Sequence, residues 1–138
     1  MGHFVVFDLH SYNHRRNGTN GSPAIPHENP EVNIFIGTMD RSKWGHLVDG
    51  LITDLCDFNF NNRHFDVREN IRFKGDQLSR WIHQTFPHSA CSISFECKKI
   101  FMEEWSGKPN QQKLEKIRIA LRSTIRGVLE ELKKLITI

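Results

Sequence analysis

The chain has 138 residues, 38% apolar and 25% charged, with a formal net charge of +3. That suffices for one domain with a core, and the charge is too mild to demand a nucleic-acid or anionic-membrane partner. No apolar run approaches the roughly 20 residues of a membrane span, and the first residues lack a basic region followed by a small-residue cleavage site.

The opening stretch, Phe4-Val-Val-Phe-Asp8-Leu-His10-Ser11-Tyr12, runs large apolar residues into a polar cluster. Residues 4–9 read as a buried strand. Side chains two apart on a strand share a face, so Asp8 and His10 point the same way. An imidazole at the carboxyl end of a strand, with a carboxylate two residues back, suits a metal ligand and its supporting partner. A capped strand end that merely satisfies loop backbone groups is the competing reading. A core strand so close to Met1 suggests that the chain is the back portion of something longer, the alternative being an edge strand at a natural terminus.

Asn13 to Glu31 is rich in turn formers and longer than the usual connection of about 4–6 residues. His14, Arg15 and Arg16 at its start could face an anionic ligand or be solvated loop charges. Val32–Ile36 is a short apolar strand, and Ser42 is a candidate cap for a helix from Trp44 to about Phe60 with a Leu47, Leu51, Leu55 and Phe58 stripe. His46 and Asp49 in that helix lack a third ligand in register and read as surface groups. Asn61-Asn62 breaks the helix, and Phe65–Glu69 alternates like a strand. Asn70 to Asp76 forms a loop whose Arg72 or Lys74 could anchor a carboxylate. A helix over about Gln77–Phe86 ends at Pro87.

Cys91–Cys97 is a second informative strand. Cys91, Ile93, Phe95 and Cys97 make an apolar face, and Ser92, Ser94 and Glu96 the other. A carboxylate on such a strand is costly unless paired, solvated or catalytic. Cys56, Cys91 and Cys97 are odd in number and form no C-x-x-C, which points to a reducing, cytoplasmic setting. From about Asn110 to the end, Leu114, Ile117, Leu121, Ile125, Val128, Leu132 and Leu135 recur at steps of three and four. They predict an amphipathic helix of about seven turns, packed on the sheet or serving as a partner-binding surface. Alternating strands and helices give an α/β class, an open sheet with helices on both faces.

Three stretches in order carry a family resemblance. Asp8-Leu-His10-Ser11 resembles the D-x-H-S signature of the N-formylglutamate amidohydrolases and is similar to the H-S-Y segment of the zinc-carboxypeptidase-like fold. Asn70-Ile-Arg-Phe-Lys-Gly75 resembles the family's N-x-P-F-x-G-G loop, with Ile71 for Pro and Asp76 for the second Gly. Ser94-Phe-Glu96 with Lys98 to Gly107 resembles its final strand. The likeness spans about residues 4–107. It implies a partial zinc-carboxypeptidase/aspartoacylase-like fold. Residues 1–109 would be the carboxyl-terminal portion of an amidohydrolase-like α/β domain, and 110–138 the amphipathic C-terminal helix of the same domain.

The activity that the resemblance implies is metal-dependent amide hydrolysis of a small N-acyl amino acid. His10 would be a zinc ligand, Asp8 its orienting carboxylate and Glu96 the general base. Arg72, Lys74, Tyr12 and Arg15 would contact substrate. Zinc takes three protein ligands and an open water position, lowers the water's pKa to about 7, and lets a carboxylate shuttle the proton. The family's other two ligands lie upstream of the D-x-H-S strand, where this sequence offers only His3. The competing class is a non-catalytic interaction module that uses the long terminal helix, with a homo-oligomer as its expected form. Neither reading involves nucleic acid or membrane.

Overall fold

The computed structural model describes residues 2–72 and 77–136. Strand β1 (Phe4–Tyr12) leads through a long loop with one turn of 3-10 helix (Pro26–Glu28) to β2 (Val32–Phe35) and helix α1 (Arg41–Asp57). A short hairpin, β3 (Asn59–Phe60) and β4 (Arg63–His64), precedes β5 (Val67–Glu69). Helix α2 (Gln77–Thr85), β6 (Ala90–Lys98) and α3 (Gln111–Ile136) complete the chain. The class is α/β, as expected. Four strands form one open mixed sheet in the order β1-β6-β2-β5, with β1 parallel to β6, β6 antiparallel to β2, and β2 parallel to β5.

The alternation on β6 explains the layering. Cys91, Ile93, Phe95 and Cys97 pack into the main core with Ile34, and with Trp44, Leu47, Val48, Leu51 and Leu55 of α1. Ala120, Val128 and Leu132 of α3 close the same core. The opposite face of β6 is polar yet dry. Ser92 and Ser94 are buried, and Ser79 of α2 bonds both hydroxyls at 2.8 and 3.0 Å. Beside them His83 of α2 accepts the Ser92 N–H at Nε2, 2.9 Å away, while its Nδ1 lies 2.7 Å from the Thr38 hydroxyl. Hydrogen bonds thus fasten α2 where hydrophobic burial fastens α1.

Four features of the fold differ from the sequence expectation. Residues 4–9 do not form a buried strand: β1 is a sheet edge, and Phe4 and Leu9 are exposed. Its outer side has no strand partner among the described residues, so its core face depends on helices alone. Asp40 caps α1, not Ser42, because its side chain takes the Ser42 N–H at 3.0 Å. The apolar stripe of α3 holds at Ile117, Leu121, Val128, Leu132 and Leu135, which lie in or against the core, but Leu114 and Ile125 are exposed and small Ala120 and Thr124 are buried. Finally, Asn61-Asn62 is a turn as well as a break. Both residues take positive φ, at 51° and 62°, the geometry of a tight two-residue hairpin that Asn tolerates better than most residues.

Candidate functional site

The parallel register of β1 and β6 sets His10 beside Glu96 and Asp8 beside Ser94. Paired residues on neighbouring strands share a face, with backbones about 4.8 Å apart. Both groups stand near the carboxyl ends of their strands, where open α/β sheets place ligands. On the other flank of Glu96 the antiparallel register sets Asn33 of β2. His10, Glu96 and Asn33 therefore form one row across three strands.

Asp8 contacts His10 directly, its Oδ1 2.9 Å from the imidazole Nε2. The Asp8 side chain is 12% exposed against 42% for His10, so the carboxylate is a fixed post and the ring reaches outward. Ser94 donates to the other Asp8 oxygen at 3.3 Å. The buried serines of β6 and α2 thus brace the carboxylate that braces the imidazole.

Asn33, fully buried, was not singled out from sequence. Its Oδ1 accepts the N–H groups of Ile71 and Arg72 at 2.9 and 3.3 Å. A side chain next to Glu96 therefore holds down the start of the loop expected to bind substrate. Its Nδ2 is buried without a hydrogen-bond partner. A lone Asn among the apolar residues of V-N-I-F is the available signal, but the register that places it beside Glu96 is tertiary.

The proposed substrate contacts are scattered. Tyr12 is buried, and its hydroxyl donates to the Pro30 carbonyl, with the Arg72 guanidinium 5.3 Å from its ring centre. Burial, ahead of nearby carboxylates, pushes the phenol pKa up, so the hydroxyl stays protonated. Arg15 belongs to a separate cleft, where its Nη1 donates to the Gly21 carbonyl at 2.8 Å. Lys74 lies outside the described residues.

His3, the sole upstream candidate for a further metal ligand, packs edge-on against Trp44 with ring centres 5.8 Å apart. It lies with Val5 and Phe7 against α3, on the side away from His10. Among the described residues no three His, Cys, Asp or Glu side chains come together as a metal site. These residues supply one suitable imidazole and do not fit a catalytic zinc by themselves. His46 and Asp49 form no such site either: Asp49 pairs with Arg41 at 2.5 Å on the surface. Among the described residues the cysteines are free thiols, and no helix is long and apolar enough to cross a membrane.

No family model, no curated protein and no solved structure matches the chain.

Proposed function

We propose that this chain carries the proton-transfer side of an amide hydrolase of the N-formylglutamate amidohydrolase type, on a partial zinc-carboxypeptidase-like sheet. The observation that carries the reading is the shared register and face of His10 and Glu96 at the ends of two parallel strands. Placement of Glu96 on the opposite face would have defeated it.

In this reading Glu96 is the general base. It takes a proton from the attacking water and returns it to the departing amine, a role that needs hydrogen-bond reach to both. Asp8 holds the His10 ring through Nε2. Arg72, tethered through Asn33, serves as the carboxylate anchor of a small N-acyl amino acid. The reading requires further metal ligands from outside the described residues.

Elemental analysis after purification in zinc-limited medium tests it, with His10→Ala beside the parent chain. About one zinc per chain, lost in the variant, supports the reading, as does N-acyl amino acid hydrolysis that Glu96→Gln abolishes. Zinc absent from both chains, with no hydrolysis, removes this chain as a working enzyme.

A second reading rests on different residues. Ile125 and Leu129 of α3 are 44% and 51% exposed, and with Phe4, Val5 and Phe7 they line an apolar groove along the sheet edge. An interaction module that dimerises through this groove predicts a mass that rises with concentration in sedimentation velocity and falls in Leu129→Lys. A monomer at all concentrations would dispose of it.

A further inference from the structure

We propose that the outer edge of β1 docks β1 of a second copy of this chain, antiparallel, about a two-fold axis at Leu9. The two four-stranded sheets then run on as one. The proposal rests on the interaction-module reading above and gives that dimer its geometry.

The two edges of the sheet are finished differently. Edge strand β5 has only three residues, and its Arg68 donates to the Pro26 and His27 carbonyls of the long loop. Short, charged, loop-covered edges resist pairing with another chain. Strand β1 has nine residues in unbroken register with β6 and carries no Pro, Lys or bulge. Its Phe4 N–H donates to the Ser89 carbonyl, and its Tyr12 carbonyl accepts the Lys99 N–H. The even-numbered residues therefore turn their backbone groups toward β6. Val5, Phe7, Leu9 and Ser11 turn theirs outward, where no strand meets them among the described residues.

Apolar surface flanks this edge on both faces of the sheet. On one face Ile125 and Leu129 of α3 line a groove of about 420 Å³ with Val5 and Phe7. Leu9, 58% exposed, projects from that same face. On the other, Trp81 is 57% exposed and stands edge-on to Phe86, which stands edge-on to Phe4. An edge flanked in this way continues a sheet better than it ends one.

Charge identifies the occupant as a second copy. A two-fold axis normal to the sheet opposes residues of the same face. With the axis at Leu9, Leu9 meets Leu9, Phe7 meets Ser11, and Asp8 meets His10. Acid then faces imidazole twice, a favourable cross-strand pair. Each Asp8 carboxylate, already 2.9 Å from its own His10, gains the imidazole of the other copy. Backbone phase agrees. The outward-facing Phe7, Leu9 and Ser11 become hydrogen-bonded pairs, and Asp8 and His10 take the closer, non-hydrogen-bonded positions. An axis at Asp8 or His10 opposes like groups, and one at Val6 or Phe7 opposes Asp8 to an apolar residue.

The test joins single cysteines to hydrogen exchange on the whole chain. In the dimer the two Leu9 Cα atoms lie about 5.5 Å apart, inside the span that a disulfide bridges. The two Val6 Cα atoms lie about 20 Å apart. Diamide oxidation of Leu9→Cys, at a concentration where the parent sediments as a dimer, should link most chains to one another. Val6→Cys should stay unlinked, as should the parent with its free Cys56, Cys91 and Cys97. In the parent, the Phe7, Leu9 and Ser11 amides should exchange about fivefold more slowly at about ten times the dimer dissociation constant than in dilute monomer. The Val6, Asp8 and His10 amides, which face β6, should not change. A dimer in which Leu9→Cys stays unlinked, Val6→Cys links instead, or the outward amides keep their monomer rates overturns this pairing and leaves a groove dimer standing. A monomer at every concentration overturns both.

Discussion

Glu104 shows how much a single side chain decides. Its carboxylate is 2% exposed and gathers two backbone N–H groups and one imidazole from a turn about 90 residues earlier in the chain. The Trp105 indole N–H adds a bond to the Arg15 carbonyl at 3.1 Å. Glu104→Ala strips two buried donors of their acceptor, which should cost on the order of 2–3 kcal/mol. Urea unfolding reads this directly, and a loss below about 0.5 kcal/mol would mean that water replaces the carboxylate without penalty. At Asp40 mutation to Ala removes the cap and should lower the melting temperature, with Ser42→Ala the milder change. The sequence Asp40-Arg-Ser42 holds two good cap residues two positions apart. Composition cannot choose between them. Backbone geometry does, because Asp40 is extended and its oxygen reaches the Ser42 N–H.

At the scale of elements, α3 separates what a pattern reveals from what packing decides. Large apolar residues at steps of three and four made the helix legible, and its start agrees to within about a residue, inside the usual fraying of helix ends. Most of that stripe does face inward, with Val128 and Leu132 in the core and Ile117, Leu121 and Leu135 packed against it, but small residues of the same seam carry no such signal. Ala120 and Thr124 are buried there, and a Cβ on Gly127 would stand 2.7 Å from the Asp54 Oδ2. Close approach of two helices favours small side chains, and a count of large ones misses them. Two substitutions test which face of α3 is buried. Leu132→Ala, at a buried position, should cost about 2–4 kcal/mol, whereas Leu129→Ala, half exposed, should stay within about 0.5 kcal/mol. Equal losses in chemical denaturation would place the seam elsewhere. The β3–β4 hairpin escaped notice for a related reason: two-residue strands are too short for alternation to register.

For the whole molecule, the legible part of the candidate site was its residue types and the illegible part was its assembly. His10 and Glu96 could be picked out strand by strand, but only the parallel register of β1 and β6 makes them neighbours. The dry serine and histidine layer under α2 had no sequence signal, since Ser79 and His83 look like exposed helix polarity. That layer has a consequence for stability in acid. Burial lowers the pKa of His83, and also that of His14, where it outweighs the opposing pull of Glu104. Both imidazoles are held neutral in the fold, and at His83 a proton on Nε2 would oppose the Ser92 N–H. The unfolded chain takes up protons at the ordinary value of about 6.5. Stability from these groups is therefore fully present above that pH and is lost as pH falls through the lower folded values. Glu31 acts further down. Burial raises its pKa, but the Arg63 fork and the Asp66 N–H overcome this and hold the carboxyl below its usual value, so its contribution is lost only in stronger acid. Two stages of acid destabilisation follow, imidazoles first and carboxylates later. Urea midpoints measured at about pH 7.5 and about pH 5.5 should drop more for the parent chain than for His83→Gln, which starts less stable but cannot take up the proton. Parallel drops in the two proteins would show that the His83 layer does not set the first stage.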